Sequence, residues 1–201
     1  GGRVTATASR GTIVRTPTYN LKELETPTEG ITTTLMQLNN NLAQVEAFMQ
    51  KENEEQQQLW KELLNYEDKL DHTPSVWPVS SHRITSGFGN RFHPTLRKYS
   101  WHSGVDLRAA YGSQVTAAAA GKVTFSGYRG GYGYAVIVDH GYGYRTLYAH
   151  NSKLLVKRGT KVEKGQLLCY SGNSGTSTGP HLHYEVHVNG KAVNPVMFLR
   201  N

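Results

Sequence analysis

The stretch Tyr134-Ala135-Val136-Ile137-Val138-Asp139-His140-Gly141-Tyr142-Gly143-Tyr144-Arg145-Thr146-Leu147-Tyr148-Ala149 decides the fold class of the larger part of this chain. Two runs rich in β-branched and aromatic residues, Tyr134 to Asp139 and Tyr144 to Ala149, flank a glycine-bearing turn, a pattern that suits strands better than helix. The same texture repeats on both sides: Val115 to Ala118, Lys122 to Ser126, Gln166 to Ser171 and His183 to Val188 read as further short strands. Turns at Gly130-Gly131 and Asn189-Gly190 separate them, the latter a hairpin signal. Of the 21 glycines 17, and of the 12 tyrosines 10, fall after Trp77, so that region reads as all-β.

Upstream the periodicity changes. Leu35, Leu38, Leu42, Val45, Met49, Leu59, Leu63, Tyr66 and Leu70 keep one a/d heptad register, broken only by Glu52 and Gln56, which predicts a long coiled-coil-like helix over residues 31–72. A seam that narrow needs a partner: a second copy, a segment outside this chain, or the domain that follows. Thr73-Pro74 and Trp77-Pro78 end the helix, because proline lacks the amide donor and disfavours helical geometry in the residue before it. The expected organisation is an extended, partly ordered arm over 1–30, the helix, a linker over 73–80, and a β domain over 81–201.

Charge divides the chain at the same place. Up to residue 76 there are 7 Lys and Arg against 11 Asp and Glu, a net of −4; from Trp77 onward 15 basic residues face only Asp106, Asp139, Glu163 and Glu185, a net of +11. Such a field attracts anionic polymers. No helix-turn-helix, paired-cysteine finger or RNP-type pattern supports nucleic acid as the partner. No apolar run approaches a bilayer span, so a membrane anchor or targeting segment would lie outside this chain. Cys169, the only cysteine, forms no intramolecular disulfide and reads as a buried structural thiol.

The chemistry concentrates in histidine. His181-Leu182-His183 follows the turn-rich Ser174 to Pro180 segment, and alternation along a strand would aim both imidazoles into one cavity, with Glu185 and His187 following at the same spacing. Far upstream, His102-Ser103-Gly104-Val105-Asp106 offers a second imidazole and a carboxylate four residues apart. Imidazole and carboxylate ligands that leave one coordination position open are the set a catalytic zinc ion prefers.

With these motifs the chain resembles the lysostaphin-type, or LytM-like, zinc metalloendopeptidases, which cleave peptide bonds in bacterial peptidoglycan. The resemblance covers roughly Trp77 to Leu199. It rests on Ile84-Thr85-Ser86-Gly87-Phe88-Gly89-Asn90-Arg91-Phe92-His93-Pro94, His102-Ser103-Gly104-Val105-Asp106, Tyr148-Ala149-His150 and Ser177-Thr178-Gly179-Pro180-His181-Leu182-His183-Tyr184-Glu185-Val186, in that order. It implies an antiparallel β catalytic domain with a narrow groove, one Zn2+ held by His102, Asp106 and His183, and catalytic His150 and His181 beside the metal. It further implies peptidoglycan as substrate and an extracytoplasmic setting in a bacterial envelope.

All five positions are filled, which favours an enzyme over a non-enzymatic zinc-stabilised module that binds or activates other wall enzymes. His93 is expected to be structural or groove-lining, and His72, His82, His140 and His187 solvated or structural. Glu185 either orients a ligand histidine or makes an ordinary strand ion pair. Some tyrosines near Tyr128 to Tyr134 should face substrate while the rest pack the core. The acidic helix either folds back over the basic domain or serves as a spacer, and through it the chain would self-associate or bind a protein.

Overall fold

The computed structural model describes residues 27–93 and 98–199. Most of the expected arm, residues 1–26, lies outside them. By contacts the chain divides into two units, one up to Gln58 and one from Leu59.

A single helix, α1 (Pro27–Asp71), carries the heptad pattern. Pro27 opens it, where the missing amide hydrogen costs nothing. Leu38, Leu42, Val45 and Met49 are 54–62% exposed, so among the described residues nothing covers this part of the stripe. Leu59, Leu63 and Leu70, in the second unit, are exposed as well, so the domain that follows leaves its own share of the seam open. Several bonds tie the helix end to the β unit, among them Ala120 N–H donating to Asp71 O at 2.9 Å, Lys164 Nζ to Leu70 O at 3.1 Å, and Tyr142 Oη to Asp68.

The β unit comprises β1 (Ile84–Ser86), β2 (Gly89–His93), β3 (Lys98–His102), β4 (Val105–Leu107), β5 (Gln114–Thr116), β6 (Gly121–Tyr128), β7 (Tyr134–Gly141), β8 (Tyr144–Leu154), β9 (Lys161–Val162), β10 (Leu167–Ser171), β11 (Leu182–Val188) and β12 (Lys191–Val193). The main path runs β1-β4-β11-β8-β7-β6-β9, with β10 bridging β5 and β8, and β12 on β11; β2 and β3 form a separate hairpin. Every pairing is antiparallel. The chain is therefore mainly β with one long N-terminal helix.

One sheet face is dry. Val105, Leu107, Val115, Val136, Val138, Leu168, Leu182, Tyr184 and Val186 are fully buried in one cluster, the alternation expected of a half-buried sheet. Cys169 sits among them, and burial pushes its thiol well above the ordinary value, as an inert structural cysteine requires. His140 is also buried: its Nδ1–H donates to Ala120 O at 2.7 Å, and its Nε2 lies 2.7 Å from the Thr146 hydroxyl.

Candidate metal and catalytic site

Strand β11 assembles the site because it lies between β4 and β8. His183 is in register with Asp106 on one side and with Ala149 on the other, one residue short of His150. His102 ends β3, and the Ser103-Gly104 link turns the chain into β4, so His102 and Asp106 arrive from opposite ends of one tight corner. Gly104 is required there: a Cβ would stand 2.3 Å from Tyr184 O. His181 precedes β11 and is held by an isolated bridge to Gly172, so it projects into the groove from a turn rather than from the strand itself.

The candidate ligand atoms converge. His183 Nδ1 lies 3.0 Å and His102 Nε2 3.2 Å from Asp106 Oδ1, and the two nitrogens are 3.0 Å apart. Ligand bonds of about 2.0–2.1 Å in tetrahedral array would set these edges at about 3.3 Å. The outer ring nitrogens decide what the inner ones are. His102 Nδ1–H donates to Gly87 O at 2.7 Å, and His183 Nε2–H donates to Glu185 Oε1 at 2.9 Å. Both inner nitrogens are thus lone pairs, and with the carboxylate oxygen they make three acceptors facing one another, an arrangement that a divalent cation relieves. The donor set fits a metal, and among the described residues these three form the group able to hold it.

Without an ion, protons on the inner nitrogens relieve the same cluster of acceptors. Burial alone would raise the Asp106 carboxyl, but hydrogen bonds and charge from His102 and His183 in that protonated state outweigh it and hold the group well below the usual carboxylate range. For His183, burial presses the imidazole down and the Asp106 and Glu185 carboxylates overcompensate, leaving its pKa raised. The centre therefore attracts positive charge.

Two further histidines stand beside this triad. His150 Nδ1–H donates to Ser174 O at 2.8 Å and His181 Nδ1–H to Gly179 O at 2.8 Å, leaving Nε2 of each as the remaining nitrogen. Their ring centroids are 4.8 Å apart, and His181 Nε2 lies 3.6 Å from Asp106 Oδ1. Burial, with help from His181 and His183, pushes the His150 pKa down to about 4 against the opposing pull of the Ser174 carbonyl and Asp106, so it is a free base at neutral pH. His150 also has φ +61, a left-handed backbone that a non-glycine residue adopts only where its surroundings enforce it.

Behind His183 lies a polar cluster that the sequence marks only in part. Glu185, almost fully buried, accepts from His183, from Ser103 Oγ, from Tyr132 Oη at 2.9 Å and from His187 Nε2 at 2.6 Å. Both contacts open to Glu185 are present: it accepts from a candidate ligand histidine through Oε1 and pairs along the strand with His187 through Oε2. Tyr132, from the 3-10 turn Gly130–Tyr132, also lines the groove. His187 is not isolated but pairs with Glu185; His82 stacks on Trp77 at 4.8 Å. The side chain of His93 lies outside the described residues.

The groove has a volume of about 620 Å³ and is lined by the triad, the His150–His181 pair, Arg91, Ser100 and Trp101 of the β2–β3 hairpin, Gly131 and Tyr132, and the 175–178 turn. The last two segments are pinned together by Thr176 N–H donating to Gly131 O at 2.8 Å. Sequence reasoning quoted Arg91 within a motif but drew no role from it. Its Nη2 lies 3.5 Å from Asp106 Oδ2.

Residues 100–195 match the family description Peptidase family M23. The chain is 46% identical over 122 residues to the DD-carboxypeptidase/endopeptidase Mpg of Neisseria meningitidis, covering 61% of this chain and 28% of that protein. It is 42% identical over 132 residues to the peptidoglycan DD-endopeptidase ShyA of Vibrio cholerae, covering 63% and 30% respectively. It thus spans under a third of the length of these curated relatives. Among solved structures, the catalytic domain of the antimicrobial peptidase lysostaphin from Staphylococcus simulans is similar, with a TM-score of 0.54 and 33% identity, covering 59% of this chain and 92% of that one. The matched segment contains four of the five convergent histidine and aspartate positions on β-strands or their ends and the turn that carries the fifth, and the chain belongs to peptidase family M23, a family of metallopeptidases.

Proposed function

We propose that the protein is a zinc-dependent endopeptidase that hydrolyses peptide bonds in the stem peptides or cross-bridges of peptidoglycan, and that it works in the extracytoplasmic envelope of a bacterium. The observation that carries this reading is the partition of four histidines around one carboxylate. Two turn lone pairs towards Asp106 within 3.2 Å, and two keep a free Nε2 alongside.

In this reading His102, Asp106 and His183 hold the ion. When bound, zinc supplies Lewis acidity, making water acidic near neutrality and polarising the substrate carbonyl. The protein's own groups do the rest. Nε2 of His150 and His181 takes the proton as water adds to the carbonyl carbon, and returns it to the leaving amine nitrogen as the C–N bond breaks. An imidazolium N–H from the same pair also donates to the oxyanion. The basic domain, net +11 from Trp77 onward, suits a polymer rich in carboxylates.

The test uses isolated wall sacculi. Metal-loaded protein should release new amino termini, a chelator should abolish the release, and His150→Ala should cut turnover about a hundredfold or more while metal and fold remain. Zinc-loaded protein that leaves several wall chemotypes and cross-linked muropeptides untouched would overturn the reading. A non-enzymatic module would show no dependence on His150.

A further inference from the structure

Arg91 lies opposite Ser100 across the β2–β3 hairpin and lines the groove beside the candidate metal triad. It is the one Lys or Arg among the groove-lining residues. A guanidinium offers five N–H donors, and among the described residues this one spends few of them. Among the described residues its hydrogen-bonding contact is the 3.5 Å approach of Nη2 to Asp106, at the outer limit for such a bond, and its Nε is buried without a partner.

The nearby acids satisfy it only in part: Asp106 Oδ2 forms a long ion pair with Nη2 at 3.5 Å, which leaves the other guanidinium hydrogens to be paired. Asp106 Oδ1 is committed to His102 and His183, and both oxygens of Glu185 are occupied by Ser103, Tyr132, His183 and His187. A part-buried guanidinium whose one ion pair is long and whose Nε–H is unpaired gains from an anion that arrives with the ligand.

We propose that Arg91 is a specificity residue that recognises a carboxylate on the substrate, carried by the residue that contributes the nitrogen of the scissile bond. The planar fork of arginine matches a carboxylate in bidentate fashion, which lysine does not. The chemistry of the peptide favours that side: a residue with one carboxyl that donates the carbonyl has consumed it in the bond, whereas its neighbour keeps a free one if it is chain-terminal or joined through a side-chain amine. The inference rests on the peptidase reading above and adds the charge that this site selects.

The experiment uses a matched pair of acetylated peptides ending in D-alanyl-D-alanine, one with a free terminal carboxylate and one amidated. Wild-type kcat/KM should favour the free acid by about ten- to a hundredfold, the worth of a charge-assisted hydrogen bond. Arg91→Gln should bring that ratio close to one, and Arg91→Lys should restore part of it. A wild-type ratio near one overturns the proposal. So does an Arg91→Gln variant that slows both peptides equally and binds metal more weakly, since Arg91 would then act only through Asp106. Calorimetric binding of the same pair to His150→Ala, with and without Arg91→Gln, gives the ratio without turnover. If wild type cleaves neither peptide nor wall material, the peptidase reading fails, while the binding ratio still decides the part played by Arg91.

Discussion

In the proposed metal centre, Glu185 fixes which nitrogen of His183 would be the ligand, and that choice is made by one contact. With Nε2–H donating to the carboxylate at 2.9 Å, Nδ1 must present its lone pair to the centre. Glu185→Gln keeps the shape and loses the charge, so metal affinity should fall about ten- to a hundredfold, read by chelator competition, while the fold persists. An unchanged affinity would show that the backbone alone holds the ring. His183→Ala should abolish metal binding, whereas His181→Ala should leave metal bound and cost mainly turnover; equal metal loss in both would erase the distinction between ligand and base. Four side chains of this site, His102, Asp106, His181 and His183, were legible because imidazole and carboxylate at fixed spacing carry chemistry that few other arrangements need, while His150 was reached only through the family resemblance. The groups that orient them were not: Gly87, Ser174 and Gly179 act through carbonyl oxygens, and a backbone carbonyl leaves no mark on sequence. Arg91 escaped for a related reason, since its unspent donors become evident only when its neighbours are in place.

Among elements, most of the longer strands were readable and most of the short ones were not. Runs rich in β-branched and aromatic residues mark β6, β7, β8, β10 and β11, and Val115 to Ala118 overlaps β5, whereas β1, β4, β9 and β12 hold only 2–3 residues, too few for an alternation to show, and the β2–β3 hairpin was not read as strands. The helix was readable from its heptads, but what covers its stripe depends on atoms outside it. The turns flanking the site carry the tightest constraint. Gly175 has φ +76, and a Cβ there would stand 2.4 Å from Gly133 N and 2.5 Å from Gly131 O, so the 174–178 turn and the 130–133 turn meet only because no side chain intervenes. Since Ser174 O in that turn anchors His150, Gly175→Ala should lower stability by about 1–3 kcal/mol and depress kcat by more than it depresses metal affinity. Thermal unfolding and single-substrate kinetics check this together. Wild-type kcat in a destabilised variant would separate the turn from the catalytic geometry.

At the scale of the whole molecule, the sheet that builds the site also buries a titratable group far from the ligand set, and acid should therefore loosen it. Burial pushes the His140 pKa down from 6.5 to about 4, against the opposing hydrogen bond to Ala120 and the charge of Asp139. Below pH 6.5 the unfolded chain takes up a proton at this histidine and the folded protein does not until about pH 4, so the unfolded state gains as pH falls. The stability tied to neutral His140 is complete above pH 6.5 and is lost on descent towards pH 4; by pH 4.5 the loss should be roughly 2–3 kcal/mol. His150 titrates in the same direction, so the wild-type slope is steeper than His140 alone would make it. Replacing His140 with Gln isolates the term. The variant should be less stable at pH 7.5, having lost a buried ring and its bonds to Ala120 and Thr146, yet should lose roughly 2–3 kcal/mol less than wild type between pH 7.5 and 4.5. Urea unfolding at the two pH values measures both numbers, and parallel losses in the two proteins would mean that His140 protonates in the folded sheet as easily as in the unfolded chain.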